Sequence, residues 1–198
     1  MTVAELMTAN PVTVAPSDTL ETAHRKMEAG RFRQVPVVDQ QKLVGILTDR
    51  DTRQHLGQLA HTRVDAVMSG HPFSVHASTP VERAAHLLTA NKIGSLPVID
   101  DNKLVGIITA SDMLRALEAL LGASSPNSSR IDLDVDGSGD ISATTSLVRS
   151  VCPLLGIGTY RLNHPEREVL YMLVPSTSAQ DAARALAGYG FKVLAVHQ

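Results

Sequence analysis

Two short motifs hold the most suggestive polar chemistry of the N-terminal 120 residues. Thr48 is followed by Asp51, and Thr109 by Asp112, each pair closing an apolar run, Gly45-Ile46-Leu47 and Gly106-Ile107-Ile108. A hydroxyl and a carboxylate three residues apart at a strand-to-helix junction fit a capping box, in which each side chain accepts from the other residue's backbone N–H. The same oxygens could accept hydrogen bonds from a polar ligand. Both readings stay open at this level. A third pattern, DVDGSGDISATT (134–145), places Asp134, Asp136 and Ser138 at the first, third and fifth positions of an EF-hand loop, with Gly139 sixth and Ile141 eighth. Two features count against calcium: Thr145 stands where a bidentate Glu is required, and RIDLDV before the loop alternates as a strand where a helix is needed.

Other reactive residue types form no constellation. The eight histidines lack ligand spacing, and His24 and His86 are expected on solvated helix faces. Cys152 is the single cysteine and sits in an apolar helical pattern, which predicts a buried, inert thiol and excludes an intramolecular disulfide or a cysteine-based zinc cage. GIGTY (156–160) is glycine-rich but opens a strand rather than a helix. There is no Ser-His-acid set, Walker loop, catalytic carboxylate pair or metal cluster, so neither catalytic residues nor a metal are expected.

The elements that must position these residues are written twice. Residues 3–56 and 64–117 align at an offset of 61 without a gap, and 19 of the 54 pairs are identical. Each copy reads as a helical turn (Val3 to Met7, Val64 to Met68), a strand stub (12–14, 73–75), a helix, two strands (Val35 to Val38 with Leu43 to Thr48; Leu96 to Ile99 with Leu104 to Thr109) and a second helix from about 50 or 111. This is a β-α-β-β-α unit. The first helix of copy two is marked by Thr79, Pro80 and Glu82, and that of copy one by Asp18, Thr19 and Glu21 in the same register. Leu20, Ala23 and Met27, like Val81, Ala84 and Leu88, give it one apolar face. Two copies are too few for an open solenoid and should pack on each other.

GASSPNSS (122–129) breaks the periodicity and reads as a linker. Beyond it come a strand (Ile131, Leu133, Val135), a helix (Leu147 to Leu155) and two strands near 157–162 and 168–174 joined by NHPERE. A helix over 178–187 follows, with Thr177 and Gln180 in capping-box register and a stop at Gly188 and Gly190. Phe191 to Val196 form a last strand. The order is β-α-β-β-α-β, ferredoxin-like. The organisation expected is 1–62, 63–121, a linker over 122–129, and 130–198.

Composition bounds the function. Hydrophobic residues make up 43% of the 198, and the net charge is −2 with the signs interspersed, so there is no basic stripe for nucleic acid. No apolar run approaches the length of a membrane span, and the N-terminus lacks a signal pattern, which predicts a cytoplasmic protein without membrane contact.

The duplicated unit resembles a tandem cystathionine-β-synthase (CBS) domain pair, on Gly45-Ile46-Leu47-Thr48 to Asp51 and Gly106-Ile107-Ile108-Thr109 to Asp112 with Val35-Pro36 and Leu96-Pro97 upstream. The last seventy residues resemble an ACT domain, and the combination is similar to bacterial acetoin-utilisation accessory proteins. The resemblance implies an α+β fold and a homodimer through the CBS units, the ACT domains or both. It also implies two clefts per pair that bind an adenine nucleotide or S-adenosylmethionine as regulatory ligand, with no required cofactor. Asp51 or Asp112 would accept from the ribose hydroxyls. Thr48 or Thr109 and the N–H groups that follow would meet phosphate. The adenine edge would be read near Arg33 to Val35 and Gly94 to Leu96, with Thr13 and Ser74 on the neighbouring strand. Arg31, Arg33, Arg50 and Arg53 would add charge on the first-copy side. Copy two offers Lys92 at the first of these positions, and Ser111 and Leu114 opposite Arg50 and Arg53, so any polyphosphate preference is expected to be asymmetric. ACT domains often bind an amino acid at the loop before their first helix, where Ser138-Gly139 replaces the family's Pro-Gly; this favours dimerisation over ligand binding there. The functional expectation is a non-catalytic sensor acting on an unknown regulated protein. Its alternatives are a ligand-independent dimerising scaffold and an amino-acid sensor.

Overall fold

The computed structural model describes residues 1–121, 127–135, 141–161 and 168–197. They form two compact units, Met1–Leu114 and Arg115–Gln198. In the first copy a 3-10 turn (Val3–Glu5) precedes β1 (Thr8–Ala9), α1 (Leu20–Gly30), β2 (Gln34–Asp39), β3 (Lys42–Thr48) and α2 (Asp49–Arg53). The second copy repeats this as a 3-10 turn (Val64–Ala66), β4 (Ser69–Gly70), α3 (Val81–Ala90), β5 (Ser95–Asp100), β6 (Lys103–Thr109) and α4 (Ala110–Leu120).

The copies are not self-contained. One sheet runs β1-β6-β5 and the other β2-β3-β4, so each copy contributes its opening strand to the other copy's sheet. Reciprocal backbone bonds fix the exchange: Val3 N–H donates to Thr79 O and Val64 N–H to Asp18 O, at 2.9 and 2.8 Å. The apolar side chains follow. Val3 is buried with Leu88, Leu96, Val98 and Ile108, while Val64 is buried with Leu20, Met27, Val35 and Leu47. Gly45 and Gly106 allow the exchanged strands to approach, since a Cβ at Gly45 would sit 3.1 Å from Ser69 O and one at Gly106 3.2 Å from Thr8 O.

The expected stubs at 12–14 and 73–75 reduce to single parallel bridges, Val14 to Val37 and Val75 to Val98. Val14 N–H donates to Pro36 O and Val38 N–H to Val14 O. The next rung toward Val12 would need an N–H on Pro36, which proline lacks, and Pro97 stops the second copy in the same way.

Helix starts also differ by a residue. Thr19 caps α1 by accepting from Thr22 N–H at 3.3 Å, while Asp18 closes the preceding turn through Ala15 N–H. Pro80, not Thr79, occupies the cap position of α3, and Thr79 Oγ1 accepts from His76 N–H instead. The β2-β3 and β5-β6 hairpins turn on Gln40-Gln41 and Asp101-Asn102. Both residues of each turn have positive φ, as a type I′ turn requires.

In the second unit, β7 (Ser128–Val135), α5 (Ile141–Val151), β8 (Gly156–Tyr160), β9 (Glu168–Pro175), α6 (Ala179–Gly188) and β10 (Val193–His197) follow in order. The sheet is antiparallel in the order β10-β7-β9-β8. Ile131, Leu133, Leu170 and Met172 pack against Val148 of α5 and Ala182 and Leu186 of α6. Helix α5 ends at Val151, short of Leu155, because Pro153 cannot continue it. Cys152 is buried at 6% exposure, and burial pushes its thiol pKa up, against reactivity. The Thr177–Gln180 capping box does not form. Ser176 N–H donates to Asn127 O and its hydroxyl meets Ser129, which tightens 176–178 into a 3-10 turn before α6. On the sheet face away from that core, Asp132 Oδ2 accepts from Arg130, Tyr160 and His197 at 2.9, 3.0 and 3.1 Å.

Residues 122–126 of the expected linker, 136–140 of the EF-hand-like loop and 163–167 of the NHPERE turn lie outside the described residues; Ser128 and Ser129 already belong to β7. Among the described residues, no helix is long and apolar enough to cross a membrane.

Candidate functional site

The Thr–Asp pairs stand where strands β3 and β6 pass into α2 and α4. At the first, Asp51 Oδ2 accepts from Thr48 N–H and the Thr48 hydroxyl at 2.8 and 2.7 Å, and Asp51 N–H returns a 3.3 Å bond to Thr48 Oγ1. Asp112 repeats this with Thr109 at 2.6, 2.7 and 3.4 Å. Both capping boxes are therefore formed by the chain alone. Each spends one carboxylate oxygen on the cap. Among the described residues Asp51 Oδ1 takes no hydrogen bond, whereas Asp112 is 4% exposed and engaged further.

Two clefts open beside these junctions in the first unit. One of about 510 Å³ is lined by Thr48, Arg50, Arg53, Lys92, His71 and Phe73, among others. The second, about 730 Å³, is lined by Thr109, Ser111, Arg31, Phe32, Val12 and Asn10 with their neighbours. Arg33, Gln34 and Gly94 line both. These three occupy the wall between the clefts, where Gln34 opens β2 and Ser95 opens β5. The two side chains, at equivalent positions of the repeat, hydrogen-bond to each other.

That contact corrects the charge assignment. Arg31 lies in the cleft of Thr109, and Lys92 in the cleft of Thr48. Because β2 and β5 begin side by side, the loop entering each strand crosses to the other copy's threonine. Arg50 and Arg53 do line the Thr48 cleft, and Asp49 holds Arg53 at 2.9 Å.

The remaining expected positions divide. Pro36 lines the Thr109 cleft. Val35 and Leu96 are fully buried in the two cores, so only their backbone could meet a ligand. Pro97, Asp51, Asp112, Thr13 and Ser74 are not among the residues lining these clefts. At the last two, Pro11 and Val12, or Pro72 and Phe73, line the surface instead, and the Thr13 carbonyl accepts from Lys26 Nζ at 2.8 Å. Sequence reading missed His71 and Phe73. The exchange of opening segments, invisible in the repeat alignment, brings 71–73 to the first copy's threonine.

His24 differs from expectation. It is half-buried on α1, with Nε2 3.4 Å from Glu28, while His86 is exposed. No group of three His, Cys, Asp or Glu side chains able to hold a metal occurs among the described residues.

Fold and clefts together define a paired α+β module with two pseudo-symmetric pockets. The CBS domain model matches residues 3–57 and 64–119, and the chain belongs to the CBS-domain family. Solved structures agree over about 60% of the chain. A candidate acetoin utilization protein (AcuB) of Vibrio cholerae is 35% identical, with TM-score 0.56, covering 61% of this chain and 92% of its own. CBSX2 of Arabidopsis thaliana, solved in complex with AMP, is 32% identical, with TM-score 0.54, over 60% and 96%. The CBS pair of protein MJ0100, in complex with 5′-methylthioadenosine and S-adenosyl-L-methionine, is 26% identical, with TM-score 0.56, over 60% and 97%.

Proposed function

We propose that the chain is a non-catalytic regulatory protein that binds an adenosine-containing ligand in the clefts of its CBS pair. The observation carrying this reading is the pair of clefts, each bordered by a threonine hydroxyl, arginine side chains and an exposed apolar residue, Phe73 or Val12. The apolar surface suits a base, and the cations suit phosphate. The AMP complex of CBSX2 and the methylthioadenosine and S-adenosylmethionine complex of MJ0100 support the ligand class. Occupation of a cleft would shift a conformational equilibrium only through differential affinity for two states, typically 1–3 kcal/mol of coupling. The C-terminal β-α-β-β-α-β unit, read as an ACT domain, would be the element that passes the shift to a partner. Exposed Leu56 and Leu114 of the first unit offer apolar surface for a homodimer.

A rival reading, a ligand-independent scaffold, draws on the capping boxes being complete without a ligand. Isothermal titration of AMP, ADP, ATP and S-adenosylmethionine, with Arg33→Ala at the wall shared by both clefts, separates the two. Binding in the clefts predicts a loss of about 1.5–3 kcal/mol of affinity for at least one phosphate-bearing ligand in the variant, the worth of hydrogen bonds to a charged group. No binding by any of the four leaves the scaffold, and binding with affinity unchanged in Arg33→Ala puts the ligand outside these clefts.

A further inference from the structure

Resting on that reading, we infer that the two clefts take different ligand classes: the Thr48 cleft is a nucleoside polyphosphate site, and the Thr109 cleft takes an adenosine compound with one phosphate or none. Beyond the shared Arg33, the Thr48 cleft is lined by three cations, Arg50, Arg53 and Lys92, against one carboxylate, Asp49, which pairs with Arg53, and the Thr109 cleft by the cation Arg31 alone. The difference is built by unequal residues at equivalent positions, since Ser111 and Leu114 replace Arg50 and Arg53. The crossing of the β2 and β5 entry loops then delivers Lys92 to the side already holding those arginines. Phosphate oxygens gain most from convergent cationic donors, so each added phosphate is rewarded in the Thr48 cleft and little in the other.

The backbone supplies an independent reason to assign Lys92 a ligand. Helices α1 and α3 both end in a Schellman motif. Phe32 and Ile93 N–H donate back to Met27 and Leu88 O, and Arg31 and Lys92 N–H to Glu28 and Thr89 O. The residue after such a helix end is left-handed and is usually glycine, because any Cβ is strained there. Here the positions hold Arg31 at φ 54° and Lys92 at φ 53°. Both are long cations that line clefts, a pairing of strained backbone with positive charge that the hairpin residues Gln40-Gln41 and Asp101-Asn102 do not share.

The test is calorimetric titration of AMP and ATP into the full chain, the Lys92→Gly/Arg50→Ser double variant, and Arg31→Gly. Glycine relieves the backbone at 92 and 31, so the fold is kept while the charge is removed. The expected result is ATP binding at least about tenfold tighter than AMP at the tighter site. That ratio should fall to within about threefold in the double variant and stay unchanged in Arg31→Gly. Equal affinity for AMP and ATP in the unmodified chain overturns the inference while leaving nucleotide binding intact. So does a preference that survives in the double variant or vanishes in Arg31→Gly. Absence of binding by AMP and ATP, together with ADP and S-adenosylmethionine in the titration above, overturns the proposed function itself.

Discussion

Replacing Lys92 by glycine is expected to make the protein more stable. The residue sits at φ 53°, two positions beyond α3 and next to its C-cap Asn91, and its N–H donates to Thr89 O at 3.2 Å, a bond that glycine keeps. Left-handed backbone costs an L-residue roughly 1–2 kcal/mol, and glycine escapes this while adding to the chain entropy lost on folding. The net gain is about 0.5–1 kcal/mol. At about 2–4 °C per kcal/mol for a chain of this size, the melting temperature should rise by roughly 1–4 °C. Differential scanning calorimetry without ligand reads this directly, and Arg31→Gly, at φ 54°, should behave alike. A fall in melting temperature for both variants would refute the reasoning. It would mean that the cationic stems contribute packing outweighing the strain, and that their retention needs no ligand.

The exchanged opening segments predict that Gly45→Ala is destabilising by about 1–3 kcal/mol in urea unfolding, because its Cβ would meet Met68 and Ser69 O at the exchanged strand; a neutral result would show that β4 does not dock on β3. In the second unit, burial first, then the hydrogen bond to Asp132 and that residue's charge, hold the Tyr160 phenol above the ordinary tyrosine range. Its raised pKa contributes stability that is complete below about pH 10 and lost as pH rises through the folded-state value. Absorbance titration of Tyr160→Phe against the parent should lose a component ionising above pH 10, and loss of one at or below 10 would contradict the Asp132 network.

Much of the fold is legible in the chain because periodicity and duplication are local signals. Leu20, Ala23 and Met27 are buried on α1 as their spacing requires, and Thr48 and Thr109 close strands as their motifs suggest. The exchange of strands was not legible. Val3 and Val64 are apolar in either arrangement, and nothing in a repeat says which copy's core they enter. The stub at Val14 failed because a proline on the partner strand, not on the stub, removes the next rung. At the clefts, residue types named the cations that line them but not their grouping. Arg31 and Lys92 change sides because Gln34 and Ser95 meet, a contact between positions 61 apart that no local pattern encodes.

Thermal unfolding against a panel of AMP, ADP, ATP, S-adenosylmethionine, amino acids and Ca²⁺ tests ligand binding most directly. Ligand at about 100 times Kd adds roughly 2.7 kcal/mol, a rise of about 5–11 °C. The account predicts such a rise with an adenine compound, reduced in Arg33→Ala relative to that variant's own baseline. Silence across the adenine compounds at millimolar concentration would contradict it and leave a scaffold whose clefts serve packing alone.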